Sequence, residues 1–352
     1  MVRVALVALT TLLVARGTSA QSIDYSFEAR ATFFGDNTEF FNPFRTGQTL
    51  IGTHAFVFGE ARINPRLAMR GGVFGLQSFG ADRSLDQIRP VLSLVIGPPQ
   101  SRLILGTLET VRRVDGPGPD RTGPHGLFPP IQRETLAFER PWEAGLQWIF
   151  TTPRLTHDAW LNWQRINHHD QREIFDTGYT ARIRVSRTIG IRGDVLLVHQ
   201  GGQLSGHGVV ADSFASAIGL NVGGPVGAFD RVAFEANVLA SRFVPDRATP
   251  GDSRSGFGTF LRFSAERASW RGHGIIWRGD DFIAREGDPM YQSRFANGVG
   301  FRMLRDYSEV GLTRVFALAD RSWLEASIRG HHVEQHYEYS FRILATARLR
   351  IE

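Results

Sequence analysis

From residue 21 onward the chain alternates apolar and polar side chains with a period of two, as a strand with one apolar and one polar face requires. Tyr25, Phe27, Ala29, Ala31 and Phe33 are apolar, and Ser26, Glu28, Arg30 and Thr32 between them are polar or charged, Ala31 and Phe33 closing the run. Tyr179, Ala181, Ile183 and Val185 interleave with Thr180, Arg182, Arg184 and Ser186 in the same way. The longest example ends the chain. There Tyr337, Tyr339, Phe341, Ile343, Ala345, Ala347, Leu349 and Ile351 alternate with polar positions, and Leu344 is the one apolar intruder. Comparable segments lie at 49–63, 67–78, 88–97, 101–111, 136–151, 157–166, 190–200, 210–222, 231–243, 256–266, 270–279, 294–304, 308–318 and 322–330. With the first three they make seventeen, each about as long as a tilted strand that crosses a bilayer. Single-chain bacterial barrels have even strand numbers, so one segment is merged, split or spurious, and 16 or 18 strands are expected.

The connections alternate between short and long. Asn64-Pro65-Arg66, Gly97-Pro98-Pro99-Gln100, Thr151-Thr152-Pro153-Arg154 and Arg187-Thr188 are tight turns rich in turn formers. Longer polar stretches at 34–48, 79–87, 112–134, 167–177, 201–209, 243–255 and 280–293 separate them. A soluble β-sandwich could also carry this much period-two sequence. Two features count against it: the polar faces bear full charges in strand after strand, and the apolar faces mix Ala and Gly with large aromatics. A barrel facing lipid outward and water inward accounts for both. The expected fold is therefore all-β, a transmembrane antiparallel up-and-down β-barrel over residues 21–352. Residues 1–20 read as a secretory signal peptide: a positive start at Arg3, an apolar stretch from Val4 to Val14, and Thr18-Ser19-Ala20 before the cut.

Composition narrows the picture further. All 40 basic residues are Arg, and removing the leader takes Arg3 and Arg16, leaving 38 basic against 35 acidic side chains. That mild, dispersed excess gives no footprint for nucleic acid. The chain has no Cys, which excludes disulfides, a thiol nucleophile and a Cys-ligated metal.

These features together resemble the bacterial outer-membrane β-barrels, the porins most of all, over the whole chain. The stretch Phe34-Gly35-Asp36-Asn37-Thr38-Glu39-Phe40-Phe41-Asn42-Pro43-Phe44 is similar to the first external loop of a group of uncharacterised barrels. The resemblance implies an outer-membrane location, short periplasmic turns and longer external loops. As partners it implies outer-membrane lipid, small hydrophilic solutes and the barrel-assembly machinery. It also implies a third external loop, here 112–134, that folds into the lumen and narrows it.

In such a barrel the polar faces line the pore. Well-phased strands place Arg30, Arg182, Arg184, Arg262, Arg329, Arg342, Arg348 and Arg350 on that face, against Glu28, Glu235, Glu266, Glu325 and Glu338. The excess of cations suggests a weakly anion-favouring pore. Opposite charges on neighbouring strands could also neutralise one another. Arg112, Arg113, Asp115, Asp120 and Arg121 are the constriction candidates in the long Gly- and Pro-rich connection. His168, His169, Asp170 and Glu173 form the densest potential metal cluster, joined at a distance by His331, His332 and His336, but adjacent His in a loop have no strand to orient them and no HExxH spacing exists, so no metal or other cofactor is expected. Ser269 and His273 are close in sequence, yet no GxSxG elbow accompanies them. Trp142, Trp148, Trp160, Trp163, Trp270, Trp277 and Trp323 fall near strand ends, as interfacial girdles do. The expected function is passive diffusion of small hydrophilic solutes without chemistry. The alternative is a non-conducting barrel that acts as a docking or export partner in surface-polysaccharide or protein assembly; a third reading, a membrane enzyme acting on lipid or peptidoglycan, is set aside because no nucleophile constellation is found in the sequence.

Overall fold

A computed structural model describes residues 23–83, 85–110, 124–204, 208–295, 298 and 300–352. The signal-peptide segment and all five constriction candidates, Arg112, Arg113, Asp115, Asp120 and Arg121, lie outside the described residues. Sixteen strands make up the wall. The first eight are β1 (Asp24–Glu39), β2 (Gln48–Asn64), β3 (Leu67–Ser78), β4 (Gln87–Ile96), β5 (Ser101–Thr107), β6 (Ala144–Thr151), β7 (Leu155–Arg165) and β8 (Glu173–Arg184). The second eight are β9 (Ile189–Gly201), β10 (Ala211–Val226), β11 (Phe229–Val244), β12 (Arg254–Arg267), β13 (Trp270–Asp280), β14 (Leu304–Ala319), β15 (Ser322–Val333) and β16 (His336–Ile351). Each strand pairs antiparallel with its neighbour in sequence, and β1 closes the barrel against β16 from Phe27↔Ile351 to Glu39↔Tyr339. Closure leaves no free edge, the condition for spanning lipid with strands.

The seventeenth segment, 294–304, is the spurious one. It belongs to the connection between β13 and β14, where Arg294 and Phe301 form an isolated bridge. Segment 136–151 divides into a short helix α1 (Leu136–Glu139) and β6. The first strand runs on past Phe33 to Glu39, through residues expected to be loop. Its outward positions there, Asn37 and Glu39, are polar, so the apolar alternation fades although the ladder continues.

The pleat sorts residues to two faces. Outward side chains such as Tyr25, Phe27, Val73, Leu92, Ile218, Val238, Phe257 and Val310 stay exposed and form an apolar belt. Inward residues divide by height. Taking the short turns as periplasmic, the periplasmic half is lined by charged side chains. The extracellular half is filled.

The filling comes from three connections. Phe40 and Phe44 enter from the β1–β2 connection, Leu127, Phe128 and Ile131 from the β5–β6 connection, and Phe282, Met290 and Tyr291 from the β13–β14 connection, all into one buried cluster. Phe138 of α1 packs into a second cluster with Phe34, Phe56, Phe74, Leu76 and Val91 of the wall. Leu344 packs against that cluster, which explains the single apolar residue on the inward face of β16. Each large apolar side chain so buried contributes roughly 1.5–3 kcal/mol. The two longer connections are also joined by backbone bonds, Asp288 N–H to Pro129 O at 2.8 Å and Arg133 N–H to Glu286 O at 2.7 Å. Gln292 Nε2 donates to Pro130 O at 3.0 Å beside them.

Two tryptophans expected in the interfacial girdle are inside instead. Trp160 and Trp277 are buried, with indole N–H groups donating to Asp176 Oδ1 at 2.9 Å and to Tyr291 O at 3.1 Å. Trp148, Trp163 and Trp270 are exposed on the outside.

Candidate functional site

The inward faces of β13 to β16 carry the densest chemistry. Tyr307 and Glu309 stand two apart on β14, His331 lies across from Glu309 on β15, and Ser340 lies on β16 beside Arg329. His331 Nε2 is 2.8 Å from Ser340 Oγ, and His331 Nδ1 is 2.7 Å from the Tyr307 hydroxyl. That hydroxyl donates to Glu309 Oε2 at 2.7 Å, and the same carboxylate oxygen is 3.5 Å from His331 Nδ1. Tyr307 has one hydroxyl hydrogen, committed to Glu309, so it can only accept from Nδ1–H of His331. On a neutral imidazole Nε2 is then the acceptor, and Ser340 donates its hydroxyl hydrogen to it. The result is a nucleophile–base pair backed by a carboxylate, the arrangement that activates a serine. His273 Nε2, 2.8 Å from Glu309 Oε1, holds the other carboxylate oxygen.

Guanidinium groups surround this relay. Arg329 Nη1 is 3.7 Å from Glu309, and Arg329 and Arg342 both reach Glu134 of the β5–β6 connection, at 2.9 and 2.6 Å. Arg342 also binds Asp36 at 2.8 Å, and Arg45 pairs with Asp288. Burial alone would raise the pKa of Glu134, but Arg329 and Arg342 outweigh it and bring it down to about 2. The remaining space is a cavity of about 30 Å³, room for water but not for an acyl chain. The Phe40 ring covers His331 edge-on, with centroids 4.9 Å apart.

A second buried cluster fastens the β5–β6 connection. His125 places Nε2 2.8 Å from Glu143 and Nδ1 3.1 Å from Asp158. Burial lowers its pKa, yet Glu143 and Asp158 more than reverse this and raise it to about 10. Arg192 adds a cation–π contact, its guanidinium carbon 3.7 Å from the Phe128 ring centroid, and donates to the carbonyl of Gly126.

The residues singled out in the sequence scatter over the lumen. Arg329 and Arg342 belong to the relay's surroundings. Arg348 binds Glu28 at 3.0 Å, and Arg30 lies in register with Arg348 on the neighbouring strand. Glu235 pairs in register with Arg262 and accepts from Asn221 at 2.9 Å. Arg182 opposes Arg192 on β9, Arg184 is exposed near the short β8–β9 turn, and Glu325 opposes Leu344. His168 and His169 are exposed in the β7–β8 connection.

The sequence singled out His331 only as a distant member of a potential metal cluster and missed its pairing with Ser340, because a nucleophile and base were sought close together on one segment. Here they face each other across a hairpin whose turn is Glu334-Gln335. Two inward positions flanking a tight turn were the available signal.

The geometry defines an outer-membrane β-barrel that holds a serine–histidine–glutamate relay under its external connections. A family model, lipid A 3'-O-deacylase-type, matches residues 17–350, and the chain belongs to that family. This overturns the expectation that the chain performs no chemistry, since the family is one of enzymes. No curated protein matches the chain in sequence. Among solved structures, OmpT of Vibrio cholerae is 10% identical, with a TM-score of 0.53 over 94% of this chain and 100% of that one. The outer-membrane protein OpdK of Pseudomonas aeruginosa is also 10% identical, with a TM-score of 0.52 over 93% of this chain and 99% of that one. At such identities the likeness shows the porin-like fold.

Proposed function

We propose that this protein hydrolyses an acyl ester of lipid A at the outer membrane, with Ser340 as nucleophile and His331 as general base. Family membership supports the substrate class, and the 2.8 Å contact between Ser340 Oγ and His331 Nε2 is the observation that carries the mechanism. Ser340 Oγ attacks the ester carbonyl while its proton passes to His331 Nε2. The developing imidazolium is stabilised by Glu309 through Tyr307. The proton then goes to the departing sugar oxygen, and water, deprotonated by the same nitrogen, releases the fatty acid and restores Ser340. Arg329 and Arg342 supply positive charge beside the developing oxyanion and for the phosphates of the headgroup. The test is mass spectrometry of lipid A incubated with the folded barrel. Loss of one ester-linked chain, abolished in Ser340→Ala, is expected; no deacylation, or full activity of Ser340→Ala, refutes the proposal.

A second reading, an anion-favouring path for small hydrophilic solutes, is supported by one observation. The inward faces of the periplasmic half carry Arg30, Arg70, Arg102, Arg182, Arg184, Arg262, Arg348 and Arg350 against Glu28, Glu60, Glu235, Glu266 and Glu325. In this reading solutes pass only when the filled extracellular half opens.

A further inference from the structure

The periplasmic end of the lumen holds a cavity of about 210 Å³ that neither reading uses. Its wall is formed by Glu60 and Arg62 near the end of β2, Ala68 and Arg70 of β3, Arg102 of β5 and Arg350 of β16. Four guanidinium groups thus meet at one place. Two carboxylates hold them: Glu60 binds Arg62 at 2.6 Å and Arg70 at 2.8 Å, and Glu109 binds Arg70 at 2.6 Å and Arg102 at 2.9 Å. Arg70, nearly fully buried, is clamped between both and acts as the keystone. Each guanidinium has five N–H donors; Glu60 takes one on Arg62 and Glu109 takes two on Arg102, at 2.9 and 3.1 Å, so both keep donors for a further acceptor. Arg350 reaches Glu352 at 2.9 Å through its Nε, and Glu352 is largely exposed. Four cations against Glu60, Glu109 and the exposed Glu352 leave one net positive charge facing a cavity larger than a water site.

We infer that this cavity binds a phosphate-sized oxyanion entering from the periplasmic side, with Arg62, Arg102 and Arg350 as its donors. The planar fork of Arg suits the bidentate geometry of a phosphate or phosphate monoester. Arg70 positions the others through Glu60 and Glu109. The same chemistry is offered by free phosphate and by a phospholipid headgroup, and the experiment separates them.

Inorganic phosphate is titrated into the folded full-length barrel in phospholipid-free detergent and followed by calorimetry. The titration is repeated with Arg62→Gln/Arg102→Gln and, as a charge control, with Arg66→Gln in the neighbouring turn. Saturable binding that weakens at least about tenfold in the double variant, and less than about twofold in Arg66→Gln, is the expected result. If binding appears only in nanodiscs containing phosphatidylglycerol, with the same loss in the double variant, the oxyanion is a headgroup phosphate. Absence of saturation in both settings, or equal weakening in the double variant and in Arg66→Gln, overturns the site. Should the double variant fail to fold, the half-exposed Arg62→Gln alone gives the same reading. Deacylation activity is not part of the readout, so failure here leaves the proposed hydrolysis untouched.

Discussion

His125 lies flat on the indole of Trp160, with ring centroids 3.8 Å apart and planes 4° from parallel. An imidazole bound on both nitrogens by carboxylates is held as a cation, so the stack has cation–π character. It joins the β5–β6 connection to the wall at β7. Whatever opens the lumen must break this contact or carry it along.

The charge state of His125 predicts a response to alkali. A histidine whose folded pKa is raised contributes stability that is complete below its unfolded value and lost as pH rises through the folded one. With values of 6.5 and about 10, docking of residues 124–143 should weaken between those pH values and be unchanged below 6.5. Limited proteolysis of the connection and Trp160 fluorescence at stepped pH should both show it. A protection pattern that is flat from pH 6 to 10 would argue against a charged His125.

Glu134 predicts the opposite sign. Its pKa is lowered from 4.5 to about 2, so its contribution is present above 4.5 and fades as pH falls toward 2. Glu134→Gln leaves Arg329 and Arg342 facing each other without their shared partner. Removing one member of a buried ion pair costs about 3–5 kcal/mol. The lower end is expected here, because Arg342 keeps Asp36 and Arg329 keeps Glu309. Urea unfolding in lipid vesicles should show the loss at pH 7 and little difference between variant and parent near pH 2.

Much of the barrel was legible because lipid enforces alternation on every strand. Sixteen of the seventeen expected segments correspond to strands, and 294–304 failed because it lies in the β13–β14 connection, where Phe295 packs against the buried cluster. Trp160 and Trp277 misled for a related reason. An aromatic near a strand end reads the same whether it points outward to the interface or inward to a plug. The relay was not legible because its members sit on three strands and are assembled by register. The filling of the lumen was only half legible: Gly and Pro marked the long connection, but not the burial of Leu127 and Ile131.

Gly178 is the cross-strand partner of Trp160, and a Cβ added there would lie 2.2 Å from the indole Cζ2. The indole is buried and has nowhere to retreat without leaving Asp176 and His125. Gly178→Ala should therefore leave the barrel closed but release the β5–β6 connection. Faster cleavage near residues 124–131, with unaltered heat-modifiable gel migration, is the expected pattern. Parent-like cleavage would mean that the connection does not depend on this stack.

Tyr307→Phe tests the relay without touching the nucleophile. It removes the group that accepts from His331 Nδ1 and leaves Glu309 3.5 Å away. His331 then loses control of its tautomer, and kcat for the proposed deacylation should fall about 10²-fold with KM little changed, in line with the usual weight of general-base catalysis. The pH dependence of kcat should also move, a result that a purely structural tyrosine would not give. Unchanged kcat and profile would remove Tyr307 and Glu309 from the mechanism.

Leu127 and Ile131 are fully buried in the cluster that fills the extracellular half. Burying a charge among apolar side chains costs several kcal/mol unless it finds a partner, so Leu127→Asp with Ile131→Asp should expel the connection toward water. Because both residues lie inside the lumen and not on the lipid face, insertion should survive. Planar-bilayer recordings are then expected to show a low or intermittent current for the parent and a steady, larger one for the double variant. In an asymmetric salt gradient the open variant should prefer anions, and adding Arg182→Glu should move its reversal potential toward cations, since lumen charges tune selectivity. A parent barrel that already conducts steadily at the level of the double variant would show that the packed connections do not obstruct the path.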